Sequence, residues 1–260
     1  MKTVKRVYAS LVYLFLYAPI ILLMLFSFNG SRSRGNWGGW TLRWYGELFR
    51  DSTIMNALFN TVIIALVSAV VATVVGTAAA FGMFYMKKTP RAVLSGISYL
   101  PVMNPDIVTG VSLMLLFLAC NVQRGFATLL IAHISFNIPY VILSVLPKLQ
   151  QMNEHLFEAS EDLGASGTYT FFHVILPEIL PGVVSGFLLS ITLSIDDFVI
   201  SFFTRGAGVN TLSVHIYNMA KKGINPSINA LSVIMFVVVM LLLVVLNNRS
   251  EKGEKSIEEN

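Results

Sequence analysis

The chain has 260 residues, of which 55% are hydrophobic and 12% charged. That is about half the charge of an ordinary soluble domain, and with a mean hydropathy of +0.71 it places the chain in a membrane. The net charge of +4 does not indicate nucleic acid, because the basic residues are scattered between apolar runs rather than gathered on one face. The single cysteine, Cys120, excludes an internal disulfide and has no partner spacing for a metal.

Lys2, Lys5 and Arg6 precede an apolar run over residues 7–28, which imitates a signal peptide. At about 22 residues the run exceeds a signal core and is long enough to cross a bilayer, so a retained first transmembrane helix is expected. The loop that follows carries Trp37, Trp40, Trp44 and Tyr45, aromatics that belong at a membrane interface or on a surface met by an external partner. Further spans are expected over 57–83, 94–119, 126–146, 180–203 and 228–246, giving six in a single transmembrane domain covering 1–260. Small residues recur at helical spacing in the second (Ala72, Gly76, Ala80), and Gly182 and Gly186 open the fifth; both are close-packing faces between helices in lipid.

Ionisable groups inside a span cost about 2.5–3.5 kcal/mol each on insertion scales and by default suggest function. Three aspartates fall in that category: Asp106 in the third span, where Pro101 and Pro105 are expected to break the helix just before it, and Asp196 with Asp197 in the fifth. Adjacent helical residues point about 100° apart, so Asp196 and Asp197 are not expected to share one task. Such groups serve either a translocation path, the reading favoured for Asp196, or a structural pairing, the reading favoured for Asp197. His133, His155, His173 and His215 are dispersed without ligand spacing and read as structural, with no metal site. Basic residues at the amino terminus (Lys2, Lys5, Arg6) and in the turn Lys87, Lys88, Arg91 favour both termini in the cytoplasm, although Arg32, Arg34, Arg43 and Arg50 weigh against it.

One polar stretch, residues 148–178, has the makings of two short helices. Asn153 is an expected N-cap for a helix rich in acidic side chains (Glu154, Glu158, Glu161, Asp162). Leu156, Ala159, Ser160 and Leu163 fall at i, i+3, i+4 and i+7 as a narrow stripe, and Gly164 stands where a left-handed C-terminal residue is needed. Thr168 is an expected cap for a second turn, and Pro177 is expected to stop that turn running unbroken into the fifth span. Physically this is either a helix lying solvated on the membrane surface or a docking surface.

Here the chain resembles a family. Glu158, Ala159, Gly164, Leu176 and Pro177 match the pattern Glu-Ala-Ala-x-x-x-Gly, nine residues, Ile-x-Leu-Pro of bacterial ABC importer permeases, with Ser160 and Val174 as conservative departures. The resemblance implies an all-α integral membrane protein of the type I ABC importer permease fold, with Glu158, Ala159, Ser160, Leu163, Gly164, Leu176 and Pro177 forming a cytoplasmic coupling helix and its flank, seated in a partner ATPase. Asn36-Trp37, Thr41-x-x-Trp44-Tyr45, Pro105-Asp106-Ile107-Val108, the segment 194–199 and Gly223-x-Asn225-Pro226-x-x-Asn229-Ala230-Leu231 are similar to the PotC-type spermidine/putrescine permeases. That family implies polyamine import across the bacterial inner membrane, with Asp106, Asp196 and Asp197 on the substrate path. It also implies a second permease (PotB-type), an ABC ATPase dimer (PotA-type) that binds ATP and Mg, and an external polyamine-binding protein (PotD-type). No catalytic constellation or phosphate-cradling loop is present, so the chain is expected to be a transporter subunit, not an enzyme. Alternative readings are an ABC permease for another small cationic or polar solute, and an ion-gradient-driven transporter or channel.

Overall fold

The computed structural model describes residues 2–32, 35–153, 155–222, 226–238 and 240. Arg34, Glu154, Gly223, Asn225 and residues 239 and 241–246 of the sixth expected span lie outside the described residues. Among those described, every regular element is helical apart from one isolated bridge between Asn29 and Trp40. Among the described residues four helices are long and apolar enough to cross a membrane, or five if a bent pair counts as one span. The chain divides into two compact units, 1–55 with 216–260, and 56–215.

In the first unit α1 (Lys2–Ser27) precedes a loop organised by one side chain. The Asn29 amide donates to Asn36 O at 3.0 Å and accepts from Gly38 N at 2.8 Å. The short helix α2 (Arg43–Arg50) then begins. Trp44, expected at the membrane interface, is instead fully buried, and its indole N–H donates to Asn29 O at 2.6 Å. Satisfying the indole donor inside the loop removes the reason for Trp44 to sit at the water boundary. Trp37 and Trp40 do stay exposed, edge to face at 5.2 Å.

The second unit is built from α3 (Ser52–Phe84), α4 (Lys88–Met103), α5 (Asp106–Ala119), α6 (Phe126–Gln151), α7 (Leu156–Asp162), α8 (Gly167–Thr170), α9 (Leu176–Asp196) and α10 (Val199–Thr204), ending in the start of α11 (Leu212–Lys222). A further apolar helix, α12 (Ser227–Val238), belongs to the first unit. The core of the second unit sits where α3, α6 and α9 meet: Ala72, Ala80, Val141, Val145, Ile175 and Ile179 are all fully buried there. The small residues permit the approach. A Cβ on Gly76 would lie 2.7 Å from Val141 Cβ, and one on Gly182 would lie 2.9 Å from Ser144 O. Van der Waals contact between close backbones takes the place of the hydrophobic drive that lipid cannot supply.

Two expected spans are broken. The third is α4 and α5, bent by 103° at Asn104–Pro105, while Pro101, expected to share in the break, stays within α4. Pro105 has no N–H to continue the helix, and its ring biases Asn104 to extended backbone, observed at ψ 142. The fifth, expected as one helix to residue 203, ends at Asp196 and restarts as α10. Here no proline acts; the Asp197 carboxylate takes the first amides of α10 and so replaces helical bonds with side-chain ones.

Gly206 is a further constraint on this half. A Cβ there would fall 1.9 Å from the carbonyl oxygen of Arg124, just before α6. Gly206→Ala is therefore expected to destabilise the chain by about 3 kcal/mol, because a backbone carbonyl cannot rotate aside as a flexible side chain can. A thermal-unfolding midpoint in detergent unchanged from wild type would contradict this.

Candidate functional site

The polar stretch forms a compact element. Asn153 is not the N-cap: its side chain accepts from the His155 amide at 3.0 Å in a turn before the helix, and His155 occupies the cap position of α7. At the other end Gly164 has φ +85, its N–H donates to Glu161 O at 2.8 Å, and the Ala165 N–H donates to Ser160 O at 3.1 Å. Those paired bonds are a Schellman motif. A Cβ at Gly164 would meet nothing within 4 Å, so backbone conformation alone demands glycine.

The buried side of α7 is rotated from the expected stripe. Leu156, Phe157 and Ser160 are half-buried, whereas Ala159 is exposed and Leu163 is 89% exposed. Phe157 supplies the reason: its ring meets Tyr85 at 5.6 Å, Tyr85 meets Phe81 at 5.0 Å, and Phe81 meets Phe171 at 4.9 Å. Ser160 adds a hydroxyl bond to Thr170 at 2.9 Å. Burial pushes the Tyr85 phenol up from its ordinary pKa, and the Glu161 carboxylate adds to the shift. The face left open presents Glu158, Ala159, Glu161, Asp162 and Leu163 around the Gly164 turn. Leu163 thus stands exposed among carboxylates at the capped end of the helix.

Two other expectations are corrected. Ser166, not Thr168, caps α8, its hydroxyl accepting from the Tyr169 amide at 3.3 Å. Pro177 does not interrupt the chain: α8, the π-helical turn Phe171–Ile175 and α9 run on as one helix, Gly167–Asp196. In that turn the Leu176 N–H reaches Phe171 O, five residues back. The wider turn makes room for the proline ring, which an α turn would force against the carbonyl of residue 173. Leu176 packs half-buried beside the core, and Pro177 is exposed.

At the other end of α9 Asp106, distant in sequence, and the adjacent Asp196 and Asp197 line one cleft of about 290 Å³ together with Phe136, Tyr140 and Phe198. Asp106 is the first residue of α5, beyond the bend, and Asp196 is the last of α9. Both are exposed, and among the described residues no cation stands within 4 Å of either. Asp197 differs. Its side chain is 6% exposed, and its two oxygens accept from the Ile200 amide at 3.1 Å and the Ser201 amide at 2.7 Å.

Behind this wall lies a buried polar cluster that sequence reasoning passed over. His133 is completely buried. Its Nδ1 meets Ser194 Oγ at 2.5 Å, and its Nε2 meets Ser201 Oγ at 3.0 Å and Asp197 Oδ2 at 3.5 Å. Ser194 Oγ is 3.1 Å from Ser68 Oγ, which accepts from the Asn137 amide at 3.3 Å. The signal in the sequence was the pair His133 and Asn137, four apart and on one face of an otherwise apolar span.

An apolar helical bundle with a broken span, a carboxylate-lined cleft and a capped acidic helix in its long loop is the architecture of a multi-pass membrane permease subunit. The chain belongs to the family of binding-protein-dependent transport system inner membrane components, which matches residues 72–253. The spermidine/putrescine transport system permease protein PotC of Haemophilus influenzae is 39% identical over 240 residues, 92% of this chain and 93% of that one. The putrescine transport system permease protein PotI of Escherichia coli is 38% identical, over 85% of this chain and 81% of that one. Among solved structures, a bacterial ABC transporter involved in import of the acidic polysaccharide alginate has a chain matching with a TM-score of 0.77 at 14% identity, covering 95% of each. At that identity the likeness speaks for the fold alone. The all-α ABC importer permease fold implied by the sequence is the fold of this protein.

Proposed function

We propose that the chain is a permease subunit of an ATP-driven importer of spermidine, putrescine or both. The observation that carries the cargo is the cleft: exposed carboxylates of Asp106 and Asp196 beside the rings of Phe136, Tyr140 and Phe198. Polyamines are linear polycations at neutral pH. Separated carboxylates match their ammonium groups, and aromatic faces add about 0.5–2 kcal/mol where water is excluded. The names of the relatives point the same way.

The exposed face of α7, with Glu158, Ala159, Leu163 and the Gly164 turn, docks in a cytoplasmic ATPase dimer, which holds the ATP and Mg. Ser160, Leu176 and Pro177 hold that face on the span behind it. A second permease and an external polyamine-binding protein complete the assembly. The chain lies in the inner membrane with both termini in the cytoplasm, and transport proceeds by alternating rigid-body arrangements of helices rather than by covalent chemistry.

The test is uptake of labelled spermidine and putrescine, each competed by the other, in a strain lacking this chain and complemented with it. Loss of uptake on deletion and its return on complementation are expected. A deletion strain with undiminished uptake of both amines would remove the cargo assignment.

A further inference from the structure

The buried cluster behind the cleft contains a titratable ring with no route to cargo, since His133 does not line the cleft. We infer that His133 is a positioning residue: it fixes the break between α9 and α10, and through it the place at which Asp196 enters the cleft.

The ring is held at both nitrogens. The Asn137 side-chain N–H donates to Ser68 Oγ at 3.3 Å. Ser68 Oγ lies 3.3 Å from Ala65 O and 3.1 Å from Ser194 Oγ, and Ser194 Oγ in turn meets His133 Nδ1. The other ring nitrogen, Nε2, faces Ser201 Oγ at 3.0 Å and Asp197 Oδ2 at 3.5 Å. One chain of polar contacts thus runs from α3 and α6, through the last turn of α9, to the residue that caps α10. Its two ends differ in kind: Ser194 belongs to α9 two residues before Asp196, and Asp197 holds the amides of Ile200 and Ser201.

The placement matters because nothing covalent or helical fixes this break. Asp197 has ψ 123, extended backbone between two helices, and α9 and α10 share no helical bond across it. The Ser213 hydroxyl, donating to Asp197 O at 2.6 Å, adds one tie from the start of α11. His133 hydrogen-bonds both sides, with one ring nitrogen on α9 and the other on α10 and its cap. Burial demands partners for any imidazole, and here those partners lie on opposite sides of the break. The contact of His133 with Phe136, edge to face at 5.3 Å, would be kept by any ring.

Two variants separate the ends. Ser194→Ala removes the bond on the α9 side, and His133→Asn keeps a short polar side chain toward Ser194 but is too short to reach Asp197 as well. In a Cys120→Ser background, the thiol introduced by Asp196→Cys is to be modified with a cationic methanethiosulfonate in membranes containing the full chain. The thiol from Thr192→Cys, which lines the same cleft one turn earlier in regular helix, is the control. Either variant is expected to change the rate at position 196 by about tenfold, with position 192 altered less than about threefold, as displacement of one group by about 1 Å would do. Equal rates with and without the variant, or equal changes at both positions, would overturn the inference. A second readout rests on the polyamine reading: His133→Asn raises the KM of uptake about tenfold with the maximal rate kept within about threefold. If the thiol rates shift as stated and the chain carries no amine, the cargo reading falls and the positioning role stands.

Discussion

Gly164→Val is expected to lower uptake at least about tenfold while the chain still reaches the membrane at its normal level. The glycine has φ +85, and a Cβ there meets nothing within 4 Å. Crowding therefore contributes nothing, and the cost is that of left-handed backbone for an L residue, about 1–2 kcal/mol and more when β-branched. A loss of that size does not unfold a helical membrane bundle. It falls on the turn that Gly164 closes, through its bond to Glu161 O and the Ala165 bond to Ser160 O. Leu163 and Glu158 then lose the fixed orientation that docking needs. Gly164→Asn is the control, because asparagine tolerates left-handed backbone, and it should keep most of the uptake. Uptake is to be measured beside the amount of chain in the membrane fraction and the ATPase activity of the complex. Normal uptake by the valine variant at normal abundance would sink the docking role.

The helix behind that element explains why its orientation should matter so far away. Gly167–Asp196 is a single helix of 30 residues, about 45 Å from end to end. One end is tied to α7 by Thr170, whose hydroxyl bonds Ser160, and to α3 by Phe171 against Phe81, and the other carries Asp196 into the cleft. A proline inside the helix would ordinarily uncouple its two ends. The π-helical turn Phe171–Ile175 accommodates Pro177, and the helix continues past Pro181 as well, so under the docking proposal the loop and the cleft are the two ends of one helix.

Much of this was legible in the sequence because it rests on local rules. Apolar run lengths mark the long helices, Gly164 marks a left-handed cap, Pro105 marks a bend, and Gly76 and Gly182 mark close approaches. The failures share a different cause. Whether Asn153 or His155, and Thr168 or Ser166, occupies a cap depends on which side chain reaches back over the turn, and residue types alone leave two candidates within reach. The buried face of α7 was misread by treating the helix as if its partner were already known; Phe157 turns it toward Tyr85, a residue about 70 positions earlier in the chain. Trp44 reads as interfacial by type and is interior because Asn29 offers it an acceptor. His133 shows the limit most plainly. Its partners come from α9, α10 and the break between them, and no periodicity announces that a ring on one helix will meet two serines and a carboxylate on others.

Neutralising the free carboxylates of the cleft tests the other half of the proposal. Asp196→Asn and Asp106→Asn preserve shape and remove charge. A unit charge about 4 Å from an ammonium is worth about 1 kcal/mol in water and about 4 kcal/mol at the effective dielectric of a protein surface. Both groups are exposed within a cleft, so each variant is expected to raise the KM for amine uptake between about 5-fold and several hundred-fold. Added salt should shrink the difference between wild type and variant, because the lost term is screened Coulomb attraction. The pair carries more information than either single change. If Asp106 and Asp196 hold different ammonium groups of one linear cation, their effects add on a free-energy scale; if they hold the same group, the double variant loses less than the sum. Asp197→Asn should behave differently from both. Its oxygens cap α10, so the amide, with one acceptor in place of two, should lower the unfolding midpoint as well as uptake. An unchanged KM in Asp196→Asn, with the chain at normal abundance, would take Asp196 off the path.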